Sequence, residues 1–217
     1  MNIEYYINGV AFSTDGVYVS QSTGIIDALK MREPAKITWP DHHGEVVDLV
    51  APRYETREIK LECFIKASSK EAFQANVKTF IERFQKAGTQ RLMIIVDVLK
   101  PLVYEVYLPS GFQISKTWND TNMEGTFDLE LREPEPVKRV YKFTAVTGAL
   151  TTTIAVTTTD PVNIYWADGN HSFDVVTSSG TISHTYATAG TYYIIITGVI
   201  ENISAVTTAA TLVWTRL

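Results

Sequence analysis

The sequence is poor in cysteine and in long apolar runs. Cys63 is the single cysteine of the 217 residues, so an internal disulfide is excluded, and its place on the apolar face of a predicted strand indicates a buried core residue. The N-terminus lacks the positive start and apolar stretch of a signal peptide, and no run approaches the roughly 20 apolar residues of a membrane span. We expect no signal peptide and no membrane insertion, with synthesis in a cytoplasm followed by retention there or export within a larger particle.

Positive charge is scarce and dispersed. The net charge is -5, and no basic cluster is present that could neutralise phosphates, so a nucleic acid recognised by its sequence is not an expected partner. Residues 1–143 carry 18 basic and 20 acidic side chains, whereas residues 144–217 contain no lysine, one arginine, four acidic residues and 18 threonines. This change in composition follows Glu133-Pro134-Glu135-Pro136 and predicts a domain boundary near Phe143, giving domains 1–143 and 144–217.

Catalytic signatures are also missing. The sequence has no Gly-x-Ser-x-Gly elbow, no phosphate-binding glycine loop, no His-Glu-x-x-His motif and no paired cysteines. Nothing in the sequence brings one of the four histidines next to a serine and an aspartate. We therefore predict that the protein is not an enzyme, with no catalytic, cofactor-binding or metal-binding residues and no cofactor.

Two groups of residues nevertheless invite a metal interpretation. The adjacent His42 and His43 have acidic neighbours, but successive side chains of an extended segment point in opposite directions and no third ligand is suitably spaced. A solvated loop turned at Gly44 explains them better. In the C-terminal part, four oxygen-bearing side chains are potential calcium ligands. Their preference for turns is the simpler explanation, and a calcium site is the alternative. The four are Asp160, Asp168, Asn170 and Asp174.

The segment 54–98 is the most strongly patterned part of the chain and predicts a strand, a helix and a second strand. Apolar and polar side chains alternate from 57 to 66, which is the period of a half-buried strand. The continuous apolar run from 92 to 96 predicts a strand over 92–98 that is buried on both faces. Since both strands need a core, the helix between them is expected to pack against their sheet.

The predicted helix spans about residues 69–87. Ser68 and Glu71 have the spacing of a capping box at its start, and Gly88 can adopt the left-handed conformation after its last turn. The polar face is continuous, and the apolar stripe opposite it consists of Phe73, Val77, Phe80, Ile81 and Phe84. This single apolar side predicts a helix that flanks a sheet.

Shorter strand signals surround this segment. Asn8-Gly9 and Asp15-Gly16 predict tight turns near the N-terminus, and alternation returns at 102–108 and 123–131. Seven to nine strands and one helix are therefore expected in the first domain. The predicted fold class is mainly β: an α+β first domain built as an antiparallel β-sandwich or partly closed barrel with one flanking α-helix, followed by a second all-β domain.

The region 21–52 is the least patterned part of the chain. Three prolines interrupt it, and only 36–39 and 45–50 are candidates for strands.

Short motifs within about residues 1–142 resemble the N-terminal domain of phage distal tail proteins. The resemblance rests on turn motifs and on the order of the elements that follow them. The motifs are Ile7-Asn8-Gly9, Asp15-Gly16-Val17, His43-Gly44-Glu45 and Arg53-Tyr54-Glu55-Thr56-Arg57-Glu58-Ile59. In that family, and in the related tail tube proteins, the domain is a β-sandwich with a flanking helix that assembles side by side into a hexameric ring continuing the tail tube. The resemblance implies a homohexameric ring here.

The second domain resembles the immunoglobulin-like domain of the PKD type over about residues 146–200. The motif consists of a tryptophan before an Asp-Gly turn, a His-x-Tyr and a Gly-Thr-Tyr: Trp166-Ala167-Asp168-Gly169, His184-Thr185-Tyr186 and Gly190-Thr191-Tyr192. Ala167 replaces the usual glycine, which suggests a slightly altered turn. The resemblance implies an immunoglobulin-like β-sandwich in which Trp166 and His184 are structural residues rather than sugar or metal contacts.

Together the resemblances imply a structural virion component of a phage or prophage, located in the tail and assembled in the bacterial cytoplasm. Its expected partners are further copies of itself, tail tube and baseplate proteins, and a host-surface glycan or protein at the second domain. Charges on the strand faces 58–66 and 124–132 suit a ring through which a polyanion passes, although an ordinary solvated face explains them at least as well. The alternatives are a tube subunit of a tail or contractile injection system, and a carbohydrate-binding or adhesive module.

Overall fold

The structure, a computed structural model, describes residues 3–118, 123–176 and 180–217 and confirms a mainly β fold. The described residues up to 133 form ten strands, a 3-10 turn at Phe12–Asp15 and one helix, α1 (Lys70–Phe84). The strands are β1 (Glu4–Ile7), β2 (Val10–Ala11), β3 (Val17–Thr23), β4 (Lys36–Ile37), β5 (Val46–Val47), β6 (Arg57–Ala67), β7 (Gln90–Ile95), β8 (Leu102–Val106), β9 (Ser115–Trp118) and β10 (Met123–Glu133). The ten strands are one more than the upper limit of the seven to nine that the sequence predicts.

Two four-stranded antiparallel sheets and a small ribbon organise these strands. The sheet orders are β2-β1-β7-β8 and β3-β6-β10-β9, and β4 pairs with β5 in the ribbon. The sheets join where Tyr107, just after β8, pairs with Arg132 of β10 through two backbone hydrogen bonds of 2.9 Å. The expected antiparallel sandwich or partly closed barrel is therefore confirmed, and the link between the two sheets makes the first part a partly closed barrel.

The pair β6–β10 is the longest ladder of this part and carries the predicted alternation. Its register runs without interruption from Met123 opposite Ala67 to Glu133 opposite Arg57. One face of both strands is buried in the core, and the other face points away from it. The buried apolar side chains of the two strands are Ile59, Leu61, Cys63, Ile65, Met123, Phe127, Leu129 and Leu131.

Helix α1 packs against this sheet, as its apolar stripe predicts. Phe73, Phe80 and Phe84 are buried, and the ring centroid of Phe80 lies 5.1 Å from that of Phe12 and 5.8 Å from that of Phe127. A Cβ atom at Gly125 of β10 would lie 3.2 Å from Cζ of Phe73 and 2.7 Å from Cγ2 of Ile114. The glycine therefore allows the helix to approach the sheet closely.

The ends of the helix differ from the prediction. Ser69, and not Ser68, is the N-cap, and its hydroxyl accepts a 3.1 Å hydrogen bond from the backbone N–H of Ala72. The two serines are adjacent, and β6 continues to Ala67, so the chain turns one residue later than the capping-box spacing suggests. The helix ends at Phe84 rather than near 87. Gly88 does have the predicted positive φ, at 80°, but lies in the connection to β7.

The predicted strand 92–98 is also corrected. Strand β7 ends at Ile95, and Val96 and Val98 are exposed. Its burial alternates: Leu92 and Ile94 lie in the core of the first sheets, whereas Met93 packs against a separate cluster formed with the C-terminal part. The apolar run is therefore continuous because the two faces of β7 meet two different neighbours.

The C-terminal part is a sandwich of two antiparallel sheets. The sheet orders are β14-β13-β16-β11-β18 and β15-β12-β17. The strands are β11 (Lys138–Ala145), β12 (Thr151–Thr158), β13 (Val162–Tyr165), β14 (His171–Val175), β15 (Thr181–Thr185), β16 (Gly190–Gly198), β17 (Ile203–Thr208) and β18 (Thr211–Trp214). Trp166 and Tyr186 belong to the apolar core between the sheets. The last strand, β18, lies at a sheet edge.

The predicted boundary at Phe143 falls within β11. Phe143 pairs with Tyr192 of β16, and the whole of β11 pairs along β16 in the C-terminal sheet. The division into two domains remains a prediction. We propose that its boundary lies in the segment 134–137, between β10 and β11, because the proline-rich composition there suits a linker.

Candidate assembly interface

The outward face of β6 and β10 forms a charged surface, here called the open sheet face. It carries five acidic and three basic side chains: Glu58, Lys60, Glu62, Lys66, Glu124, Asp128, Glu130 and Arg132. Ion pairs cross the ladder from Lys60 to Asp128 at 2.7 Å and from Arg132 to Glu58 at 3.0 Å. The surface is therefore mixed in sign, with a small acidic excess and no patch that would bind a polyanion.

An aromatic pair interrupts the charged surface at its edge. Tyr18 of β3 and Phe64 of β6 stack with ring centroids 5.3 Å apart and an interplanar angle of 22°. Both rings remain substantially exposed, and β3 is the edge strand of its sheet. An exposed aromatic pair at a sheet edge is typical of a surface that contacts another protein.

A long hairpin, here called the arm, spans residues 30–55 between β3 and β6. Backbone hydrogen bonds connect its two sides from Glu55 N–H to Lys30 O at the base, and β4 and β5 pair farther out. A turn at its tip brings the N–H of His42 to 3.2 Å from the carbonyl oxygen of Trp39. The weakly patterned region of the sequence is therefore an ordered hairpin in which β4 and β5 are shorter than predicted.

The arm exposes apolar side chains on a two-stranded ribbon. Nearly every residue from 31 to 50 is exposed, and Val50 keeps 93% of its surface accessible. The exposed large apolar side chains of the arm are Met31, Ile37, Trp39, Val46, Leu49 and Val50. An isolated two-stranded hairpin is marginally stable in water. Its exposed apolar side chains make the arm a candidate contact surface for another molecule.

The segment 24–29, here called the arm base, leads from β3 into the arm and is anchored to the barrel at Gly24 and Ile25. The carbonyl oxygen of Ile25 accepts hydrogen bonds of 2.7 Å from Arg57 Nη1 and from Tyr104 Oη. Gly24 has a φ of 80°, and a Cβ there would overlap the backbone carbonyl of Glu58. The chain therefore leaves β3 through a position that favours glycine sterically and conformationally.

Arg57 also belongs to a buried ion cluster with Glu133 and Lys138. Arg57 Nε donates to Glu133 Oε2 at 3.1 Å, and the ammonium of Lys138 donates to the other carboxylate oxygen. The Lys138 ammonium lies 4.2 Å from the ring centroid of Tyr104, in a cation–π contact. The cluster thus connects the arm base, the barrel and the first strand of the C-terminal sheet.

Burial dominates the electrostatics of this cluster. It lowers the pKa of Lys138 to about 8, against the opposing attraction of Glu133. Burial likewise raises the pKa of Glu133, against the attraction of Lys138 and Arg57. Sequence reasoning missed this cluster because lysine and glutamate ordinarily lie at the surface.

The candidate metal ligands of the sequence lie apart. His42 and His43 occupy the tip of the arm, and Asp160 and Asp168 lie in the turns at opposite ends of β13. Two hydrogen bonds lower the pKa of Asp160, the larger effect coming from Asn202 and the smaller from Thr159. Over residues 3–118, 123–176 and 180–217, no group of three or more His, Cys, Asp or Glu side chains is placed to hold a metal ion.

Trp166 and His184 make contacts within the C-terminal sandwich that suit a structural role. Their rings stack with centroids 4.8 Å apart, and His184 Nε2 lies 2.7 Å from Asp168 Oδ2 in the adjacent turn. Burial alone would raise the pKa of Asp168, but the hydrogen bonds from His184 and Asn170 lower it. Ala167, in the position where the PKD motif has glycine, has a φ of 75°. The turn therefore keeps a backbone conformation that favours glycine.

Cys63 lies in the barrel core, as its strand position predicts. Burial, reinforced by the charge of Asp128, raises the pKa of its thiol to about 12, which makes it a poor nucleophile. In the described part of the chain, no helix has both the length and the apolar character needed to cross a membrane.

The fold defined by these elements, an antiparallel barrel with one flanking helix followed by a β-sandwich, is shared with a solved phage protein. The crystal structure of SPP1 Dit (gp 19.1), described as a paradigm of the hub adsorption apparatus in phages that infect Gram-positive bacteria, superposes with a TM-score of 0.52. The alignment covers 91% of this chain and 98% of the Dit chain at 11% identity, so the similarity concerns the fold. No protein-family model and no curated protein matches the sequence.

Proposed function

We propose that this protein is a structural component of a phage or prophage tail. In this proposal the first domain forms a homohexameric ring at the distal end of the tail tube, and the immunoglobulin-like domain projects outward toward baseplate proteins or the host surface. The fold shared with a hub protein over nearly the whole length of both chains supports this role. The role is structural and not enzymatic.

The arm is the observation that carries the proposal. It is ordered as a hairpin, is anchored at its base by buried polar contacts, and exposes apolar side chains that no neighbouring part of the described chain covers. A second copy of the chain can cover these apolar side chains, and the same contact repeated around a symmetry axis closes a ring. We therefore assign the arm to the contact between adjacent protomers.

The open sheet face supports a position at the ring lumen. Its charges are paired across the ladder, and the small acidic excess would repel a passing nucleic acid and prevent adhesion. The appended C-terminal sandwich suits a ring at the end of a tube better than a repeated tube subunit, because a repeated subunit seldom carries a further domain. A tube subunit remains the second candidate.

Sedimentation velocity over a range of protein concentrations, followed by negative-stain imaging, tests the proposal. We expect a concentration-dependent conversion of monomer into a single ring-shaped species. The double variant Trp39→Ala/Val50→Ser should prevent this conversion without changing the thermal midpoint, because both side chains are exposed. Val98→Ser removes a similarly exposed valine outside the arm and is the matched control. Rings that form equally well from the double variant would contradict the role of the arm.

A further inference from the structure

An exposed aromatic surface lies on the edge strand β14 of the C-terminal sandwich. Phe173 keeps 51% of its surface accessible, and its ring stacks on that of His171 with centroids 4.0 Å apart. Tyr165 contacts the Phe173 ring edge-to-face, at 5.7 Å and 74°. These three side chains are called the aromatic shelf. The contacts hold Phe173 in place, so its exposed surface is already oriented for a ligand.

The backbone is shaped to present Phe173 outward. Ser172 accepts a hydrogen bond from Trp166 Nε1 on the core side, and Val175 is also buried in the core. Two core-facing residues three positions apart break the alternation of a strand, and the register with β13 shifts between Val162 and Ile164. Asp174 has a φ of 53° at this bulge. Bulges often re-aim a side chain next to a functional site.

Polar groups suited to hydroxyls adjoin the aromatic shelf. Tyr165 Oη and Asn163 Nδ2 each donate a 2.7 Å hydrogen bond to Glu135, one to each carboxylate oxygen. Each carboxylate oxygen can accept a further hydrogen bond, and the Asn163 amide has a second N–H. Glu135 and Asn163 are only half-buried, so these groups remain open to a ligand. An aromatic face beside a carboxylate and an amide can bind both surfaces of a sugar, its C–H face and its hydroxyls.

We propose that the aromatic shelf, together with Glu135 and Asn163, binds a neutral sugar unit of a glycan. Size favours a sugar over a protein partner, because the exposed rings of His171 and Phe173 together are far smaller than the roughly 800 Å² that a specific protein interface buries on each side. Charge favours a neutral ligand over an anion, because the acidic residues Glu135 and Asp174 adjoin the shelf.

This site deepens the proposed host-surface contact of the outer domain and rests on the proposed function only for its biological setting. A single sugar on one aromatic ring binds weakly, and a ring of identical subunits would strengthen attachment to a repeating polysaccharide by avidity. Binding by one subunit does not require the ring. Failure of the sugar site and failure of ring formation are therefore separate results.

Saturation-transfer difference NMR on the purified full chain tests the site. The probes are glucose, galactose, rhamnose and N-acetylglucosamine, with glycerol phosphate as the anionic comparison. We expect saturation transfer to at least one neutral sugar and none to glycerol phosphate. Phe173→Ala should weaken the binding of that sugar about tenfold, the loss expected for one aromatic contact, and Glu135→Gln should weaken it less.

Phe64→Ala is the matched control, because it removes a similarly exposed, stacked ring from the open sheet face. Circular dichroism should show that all three variants keep the wild-type thermal midpoint to within a few degrees. Retained sugar binding in Phe64→Ala together with its loss in Phe173→Ala supports the site. The proposal is overturned by equal effects of the two variants, by binding of glycerol phosphate alone, or by no saturation transfer to any neutral sugar.

Discussion

Two ion pairs one residue apart on the same two strands have opposite surroundings. Arg57 and Glu133 are 3.1 Å apart, with side chains 6% and 1% exposed, whereas Glu58 and Arg132 are 3.0 Å apart, with side chains 74% and 46% exposed. The N–O distances are nearly equal, yet one pair is buried inside the protein and the other lies on its surface. Distance alone therefore does not tell what an ion pair does; burial decides it.

The largest expected effect follows from removing the buried anion. Glu133→Gln keeps the size of the side chain but leaves Arg57 and Lys138 as neighbouring buried cations without a counter-charge. We expect the free energy of unfolding in urea to fall by about 3–5 kcal/mol, the usual cost of breaking a buried pair. Glu58→Gln, the control on the exposed pair, should leave the unfolding curve nearly unchanged. Equal effects of the two variants would remove the distinction between the pairs.

The next effect concerns the arm base, which the buried cluster anchors. Gly24→Ala should lower the free energy of unfolding by about 2 kcal/mol or more, because it combines a positive φ with overlap against the Glu58 carbonyl. Gly44→Ala is the control: Gly44 has a φ of 83°, but no atom lies within 4 Å of the position that a Cβ would take there. Chemical denaturation of both variants compares the two sites. A loss at Gly44 as large as that at Gly24 would contradict this anchoring.

Lys138 makes the free energy of unfolding depend on pH. Its pKa is lowered to about 8 in the folded protein from 10.5, so between these values the unfolded chain binds more protons. The ionisation of Lys138 should therefore raise the free energy of unfolding by about 1–2 kcal/mol from pH 8 to about 9.5, whereas Cys63 and the buried tyrosines, which ionise more easily in the unfolded chain, act in the opposite direction.

The variant Lys138→Met removes this titration, so its free energy of unfolding should rise less, or fall more, with pH than that of the wild type. Urea denaturation at a series of pH values measures both slopes. Equal slopes in the wild type and the variant would contradict the buried position of the ammonium.

The smallest effect belongs to the exposed pair. Arg132→Gln should change the urea midpoint only slightly at low salt, and the change should disappear in 1 M salt, where charges are screened beyond roughly 3 Å. The salt dependence of Glu133→Gln should be weak by comparison, because solvent ions do not reach the buried cluster. A large, salt-insensitive loss in Arg132→Gln would show that the open sheet face is not solvated.

Local periodicity carried the successful sequence predictions. The alternation along β6 and β10 and the phenylalanine stripe of α1 were legible because each element has one buried face. The antiparallel class and the flanking helix followed from them. The predicted N-cap was wrong by one position, because two adjacent serines are both suitable N-cap residues.

Features that depend on distant parts of the chain were not predictable in the same way. The arm has no core contact along most of its length, so its sequence shows no burial pattern. Lys138 is buried because Glu133 and Tyr104 surround it, which the strand pattern does not reveal. The exposure of Phe173 depends on a bulge opposite β13. The arm, the buried cluster and the aromatic shelf were therefore found only in the structure, whereas the charged face of β6 and β10 was predicted from the sequence.

Hydrogen–deuterium exchange at low and high protein concentration tests the central claim most directly, that the arm joins protomers in a ring. In the dilute monomer, amides at 30–55 should exchange rapidly while those of β6 and β10 stay protected, because a lone ribbon opens easily. On assembly, protection should appear along the arm and leave the β6–β10 ladder unchanged. Rings whose arm amides exchange as rapidly as those of the monomer would contradict the account.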